Sequence, residues 1–174
     1  MPLIRTVDEV KTLVASCKFP PRGTRGFGSP FAVQTFSPVP SMTEYLEQAN
    51  DSLVVMVQIE TREALEVVEE IAPLVDVVFI GPFDLGNNIG HPILDGVVKP
   101  ELKAAIDRIL RAANTAGKKC GIYATSGEEA RRYAEAGFHM ISAATDITAL
   151  QAAMAETVSV ATRAGTEPIK RGSY

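Results

Sequence analysis

Two apolar runs, each closed by a carboxylate and joined by a helical segment, constrain this chain more than any other feature. Val54 to Ile59 reads VVMVQI and ends in Glu60. Val75 to Ile80 reads VDVVFI and ends in Gly81-Pro82-Phe83-Asp84-Leu85. Between them, Leu65, Val68 and Ile71 recur at helical spacing within Arg62 to Ala72. Strand, helix, strand is a βαβ unit, whose strands are parallel and whose crossover is right-handed. Runs this continuously apolar are expected of parallel strands covered on both faces.

Neighbouring strands lie about 4.8 Å apart, so Glu60 and Asp84 converge above the carboxyl ends of the two strands. Open α/β sheets and barrels place their active sites there. Two carboxylates so close repel unless a proton or a cation lies between them. A hard divalent cation, Mg²⁺ or Mn²⁺, suits two protein oxygen ligands with positions left for water and substrate. A second reading has Glu60 capping or charging the start of the following helix and Asp84 shaping a Pro-containing turn. Spacing alone leaves both open.

The motifs VQIET and VFIGPFDL together resemble the signature of the HpcH/HpaI aldolase family, metal-dependent pyruvate aldolases named for 2,4-dihydroxyhept-2-ene-1,7-dioate aldolase. The upstream segment PLIRTVDEVKTLVASCKFPPRGTRGFGSPFA and the downstream GKKCGIYATSGEEARRYAEAGFHMISAATDITAL resemble the same family in the same order. The resemblance implies a partial (β/α)8 barrel of the phosphoenolpyruvate/pyruvate type. It begins at the family's fourth strand, so the first three βα units are expected to be missing. It gives the metal to Glu60 and Asp84, with Mg²⁺ or Mn²⁺ favoured and Co²⁺ admissible. Gln58 falls beside the metal. Gly81, Pro82 and Phe83 form the substrate turn, with the amides of Phe83 and Asp84 holding the pyruvate carboxylate. Phe83 stands where many family members have a small residue. Arg25, Gly28 and Ser29 become candidates for substrate contact at the mouth of the site.

The implied activity is a divalent-metal-dependent aldolase or lyase that forms or cleaves a C–C bond next to a pyruvate enolate. Its partners would be a 2-oxo acid, pyruvate or oxaloacetate, and an aldehyde. The family's His–Asp base and carbonyl-polarising Arg come from the first three strands and have no counterpart here, so the catalytic residues stay unassigned. The alternative is a catalytically incompetent shortened paralogue that pairs with full-length relatives. A lyase of the malyl-CoA or citryl-CoA type would need a basic cluster for the CoA phosphates, and none is seen. Family members are often hexamers that exchange the last helix. Here that helix, Asp146 to Thr162, carries Ile147, Leu150, Met154 and Val158, which suit docking on a neighbouring copy, as the resemblance implies for a homo-oligomer, or on its own barrel.

The chain has 174 residues, 46% of them hydrophobic, which suits one domain, expected over 1–164 with a disordered tail over 165–174. A net charge of −4 and the lack of a basic stripe argue against nucleic acid. No apolar run approaches the roughly 20 residues of a membrane span, and the start lacks a signal-peptide pattern. Cys17 and Cys120 have neither CxxC spacing nor clustered histidines, as expected of free thiols in a reducing, cytoplasmic setting. His91, in a long loop from Gly86 to Pro100, and His139, opening a strand, both read as structural. Strands are expected near 2–4, 54–59, 76–80, 119–123 and 139–143, alternating with helices. Thr6, Ser41, Ser126 and Asp146 open helices, as does Pro100, and Gly117 and Gly137 close two of them. Regular alternation predicts one parallel sheet. Arg22 to Pro30 is a Gly-rich loop whose backbone can approach a ligand; read apart from the resemblance it is a plain surface loop.

Overall fold

The structure, a computed structural model, describes residues 1–28 and 41–162. Ser29 and the tail from Gly165 lie outside the described residues. Four parallel strands form one sheet in the order β1-β2-β3-β4. They are β1 Met56–Ile59, β2 Val77–Ile80, β3 Lys119–Tyr123 and β4 Met140–Ser142. Helices connect them: α1 Val7–Cys17 and α2 Met42–Ser52 precede β1. Helices α3 Arg62–Glu66 and α4 Val68–Ile71 lie between β1 and β2. Helices α5 Pro82–Ile89 and α6 Pro100–Thr115 lead to β3. Helix α7 Gly127–Glu135 leads to β4, and α8 Asp146–Ala161 follows it. Four parallel strands in consecutive order are consistent with part of a (β/α)8 barrel.

Register divides the sheet into two unlike faces. Val57 pairs with Val78 and Val78 with Cys120, while Ile59 pairs with Ile80 and Ile80 with Ile122. All six are fully buried and share one cluster with Val10 of α1, Val68 and Ile71 of α4, and Ile106 and Ile109 of α6. The helices therefore cover this face. The alternate residues Gln58, Phe79 and Tyr123 project from the other face and are only half-buried. Gly121 lies between the last two in the sheet, and a Cβ there would stand 2.6 Å from Phe79 Cδ2, so the Phe79 ring occupies its space. The apolar runs thus belong to a sheet with one closed and one half-open face.

Three expectations change. Residues 2–4 are not a strand. Met1 does bond along the edge of β1, its carbonyl accepting from Gln58 N at 2.9 Å, but Leu3 turns into the left-handed region with φ 54 and ends the extended path. The helix expected over 62–72 breaks at Val67, whose ψ of 21 is not helical. Two adjacent β-branched residues, Val67 and Val68, weaken a helix there, and Pro73 falls in a 3₁₀ turn, Ala72–Leu74. The expected loop after Gly86 starts instead inside α5, which Gly90 closes with φ 83.

The helix starts follow the sequence more closely. Thr6 with Glu9 and Ser41 with Glu44 both form capping boxes. Thr145, one residue before the expected start, caps α8. Thr61, not Glu60, caps α3, accepting from Ala64 N at 3.1 Å. The Thr61 hydroxyl also donates to the Ile4 carbonyl at 2.6 Å, and Thr61 is 1% exposed. Replacing Thr61 with the isosteric Val leaves both partners unsatisfied in a buried place. Thr61→Val is expected to lower unfolding free energy by about 1–3 kcal/mol, read as a lower urea midpoint at unchanged m-value.

Candidate active site at the carboxyl ends of β1 and β2

Glu60 directly follows β1, and the register that pairs Ile59 with Ile80 sets it against Gly81. Its carboxylate is buried, only 2% exposed. Oε1 accepts from Leu3 N at 2.7 Å and Oε2 from Gln58 Nε2 at 3.1 Å. Gln58 lies two residues back on the same face, which is what brings its amide to Glu60. None of the ion pairs among the described residues includes Glu60. A carboxylate has about four lone-pair sites, so two donors leave acceptor capacity unused. A charge withdrawn from water this far calls for a partner of opposite sign.

Gly81 supplies the room. A Cβ there would stand 2.5 Å from Glu60 Oε2. Its φ of −94 is open to any residue, so steric exclusion alone, not backbone conformation, requires glycine.

Gly81 is also the N-cap of α5, and it offers no side chain to the helix's free amides. Pro82, in the first turn, has no N–H to offer. Leu85 N bonds back to the Gly81 carbonyl at 2.9 Å. The N–H groups of Phe83 and Asp84 fall in the first turn, where a helix has no internal acceptors. The expected Gly-Pro-Phe-Asp turn is thus a helix N-terminus. The Asp84 side chain is exposed and makes no hydrogen bond or ion pair with the described residues.

The site therefore gathers Gln58, Glu60, Gly81, Pro82, Phe83 and Asp84 at the ends of two adjacent strands. Among the described residues, no group of three or more His, Cys, Asp or Glu gathers at one place. Two carboxylates thus follow the ends of adjacent strands, one buried and held at both oxygens and one exposed; oxygen donors of this kind are those a hard divalent ion takes.

Arg25 and Gly28 are not brought to this cluster. Arg25 sits 4.6 Å above the Phe19 ring and donates to the Tyr45 hydroxyl at 3.0 Å. Asn50 bonds both the N–H and the carbonyl of Phe19, and Lys18 Nζ donates to the Leu53 carbonyl. Those contacts hold the Arg25 cluster to the segment entering β1 at its amino end, whereas Glu60 lies past its carboxyl end. A Cβ on Gly28 would meet nothing within 4 Å.

Three participants were not visible in the sequence. Leu3 and Thr61 reach the site through backbone and cap geometry. Tyr123 ends β3, and its ring lies 6.2 Å from that of Phe83. A large polar aromatic closing the strand KCGIY was the only signal for it. The histidines are engaged elsewhere: His91 faces Glu101 at 3.6 Å, and His139 Nδ1 accepts from Cys120 N at 3.3 Å. Burial pushes the Cys120 thiol up to about 12, which removes it as a nucleophile.

A family model described as HpcH/HpaI aldolase/citrate lyase matches residues 1–153. The chain belongs to this family. It is 38% identical over 161 residues to a hydroxypyruvate/pyruvate aldolase of Chromohalobacter salexigens, covering 91% of this chain and 62% of that protein. It is 36% identical over 177 residues to a 4-hydroxy-2-oxo-heptane-1,7-dioate aldolase of Shigella sonnei, covering 100% of this chain and 65% of that protein. Among solved structures, an HpcH/HpaI aldolase from Desulfitobacterium hafniense superposes with TM-score 0.82 at 27% identity, over 95% of this chain and 64% of that one. A family protein from Burkholderia cenocepacia gives TM-score 0.80 at 31% identity, over 93% and 63%. The chain thus spans under two thirds of these relatives' lengths, and its four strands superpose on part of the family fold.

Gly81→Ala tests the recess. It is expected to destabilise the chain by about 1–3 kcal/mol, because the added methyl must displace the buried carboxylate. Gly86→Ala, whose Cβ would stand 2.9 Å from the His91 carbonyl, is a steric control away from Glu60. In Mn²⁺ titration calorimetry, Gly81→Ala should lose affinity and Gly86→Ala should not.

Proposed function

We propose that this chain carries the cation- and carboxylate-binding part of a divalent-metal-dependent carbon–carbon lyase acting on 2-oxo acids. The buried Glu60 carboxylate, set against Gly81 and beside the uncapped start of α5, carries this reading. Glu60 and Asp84 would hold Mg²⁺ or Mn²⁺. A cation bound there supplies Lewis acidity to substrate oxygens. The amides of Phe83 and Asp84 orient the substrate carboxylate, and the helix dipole favours its charge. Gln58 holds one Glu60 oxygen and so fixes that carboxylate's rotation. The rings of Phe83 and Tyr123 limit the room on the β3 side, which favours small substrates, pyruvate and oxaloacetate among them.

The proton inventory selects among reactions. Aldol cleavage needs an acceptor for the substrate hydroxyl proton, and neither histidine stands in the cluster. Loss of CO₂ from oxaloacetate breaks its C–C bond without removing such a proton. The 174-residue chain is therefore expected to decarboxylate oxaloacetate weakly in a Mn²⁺-dependent way. Its aldol turnover should fall about 10²–10⁴-fold below that of an enzyme with a base. Paired assays with and without chelator, together with Mn²⁺ calorimetry, test this. Glu60→Gln and Asp84→Asn should each weaken Mn²⁺ binding and abolish the chelator-sensitive rate. Unchanged titrations in both variants would sink the reading.

Homo-oligomerisation through α8 belongs to the same proposal. No residue of that helix is buried, and Ile147, Leu150, Met154 and Val158 are all about three-fifths exposed. Sedimentation velocity should show an oligomer that Leu150→Glu with Met154→Glu reduces to monomer; a monomeric parent would refute it. A cytoplasmic setting is proposed from the two free cysteines.

A further inference from the structure

We propose that Leu3 is a positioning residue for Glu60, acting through its backbone N–H. The proposal rests on the cation-binding reading and adds the element that holds the ligand in place.

Leu3 is a left-handed residue with φ 54, and the other such non-glycine among the described residues is Asp95, in an Asp-Gly turn. Aspartate tolerates that region because its side chain bonds locally, and leucine has no such means. Side-chain packing does not explain the conformation either, since Leu3 is 57% exposed. A strained residue persists only when its surroundings over-determine it. Here they act from both sides. The Met1 carbonyl is held by Gln58 N at 2.9 Å. The Ile4 carbonyl is held by the Thr61 hydroxyl at 2.6 Å, and Ile4 itself is 2% exposed. Between these anchors the left-handed turn aims the Leu3 N–H at Glu60 Oε1, 2.7 Å away. An extended residue there would continue along the β1 edge and lose that bond.

The result is a carboxylate fixed at both oxygens, by Leu3 on one and Gln58 on the other, with Gly81 clearing the space beside it. Groups that orient a metal ligand commonly matter as much to affinity as a ligand's own contacts. Residues on either side of the bond serve it: Thr61 does so through Ile4, which explains why a helix cap is buried at a site.

An amide-to-ester replacement at Leu3 removes this N–H and little else. Cys17 allows it, by ligating a synthetic 1–16 segment to residues 17–174. Mn²⁺ affinity, read from loss of the free-ion paramagnetic resonance signal, should fall about 10–100-fold in the ester chain. The conservative variant Leu3→Gly keeps the donor and admits the left-handed backbone, so its loss should be clearly smaller. Equal affinity in ester and parent, or an equal loss in Leu3→Gly, overturns the proposal while leaving the cation reading intact. A parent that binds no Mn²⁺ overturns the cation reading and the proposal with it. Should the ester chain lose its circular dichroism, ¹⁵N at Leu3 of the parent decides: Mg²⁺ addition must shift that amide resonance, and an unmoved resonance at saturation overturns the proposal.

Discussion

Burying the Glu60 carboxylate is the constraint on which the rest of the site depends. A charge removed from water costs several kcal/mol unless donors and a counter-charge replace the solvent. The fold answers with a backbone amide from one side and a side-chain amide from another, and with a glycine where any other residue would collide. Each answer restricts the architecture further. The glycine must lie opposite, which requires the register of β1 with β2. The backbone amide must come from a segment alongside β1, which requires Leu3 to leave the extended path.

The helix-covered face makes that arrangement rigid. Val57, Ile59, Val78, Ile80, Cys120 and Ile122 form two rows across three strands, fully buried against α1, α4 and α6. A one-residue slip would move every one of them to the other face. The register that sets Glu60 against Gly81 is therefore held by hydrophobic burial on the opposite side of the sheet. The candidate site lies on the half-open face, and the packing that holds it lies on the closed one. The Arg108–Glu69 pair ties α6 to α4 through two parallel bonds of 2.8 and 2.7 Å.

Family membership and the ends of the strands point to one place, yet the residues there have unequal standing. Glu60 is built into the protein, while Asp84 stands exposed on the first turn of α5. The buried carboxylate is pre-set by its neighbours, and the exposed one is free to adjust. Arg25 shows the opposite case. A Gly-rich loop with arginines suggested a binding function, but within this chain the guanidinium is committed to Phe19 and Tyr45.

Much was legible in the sequence because it depends on periodicity and local chemistry. Two nearly continuous apolar runs define β1 and β2, and a carboxylate follows each. A capping box at Thr6 and a cap at Ser41 mark helix starts, and Pro100 with Gly117 brackets α6. These signals lie within a few residues of what they specify. The tertiary structure decided what no local pattern contains. It chose which face of the sheet is closed, made Thr61 rather than Glu60 the cap of α3, and turned the Gly-Pro-Phe-Asp segment into a helix N-terminus. It brought Tyr123 to Phe83 and placed Leu3 on Glu60 across 57 residues of chain. Such contacts arise from strand register and from satisfying buried polar groups, both of which are properties of the packed molecule.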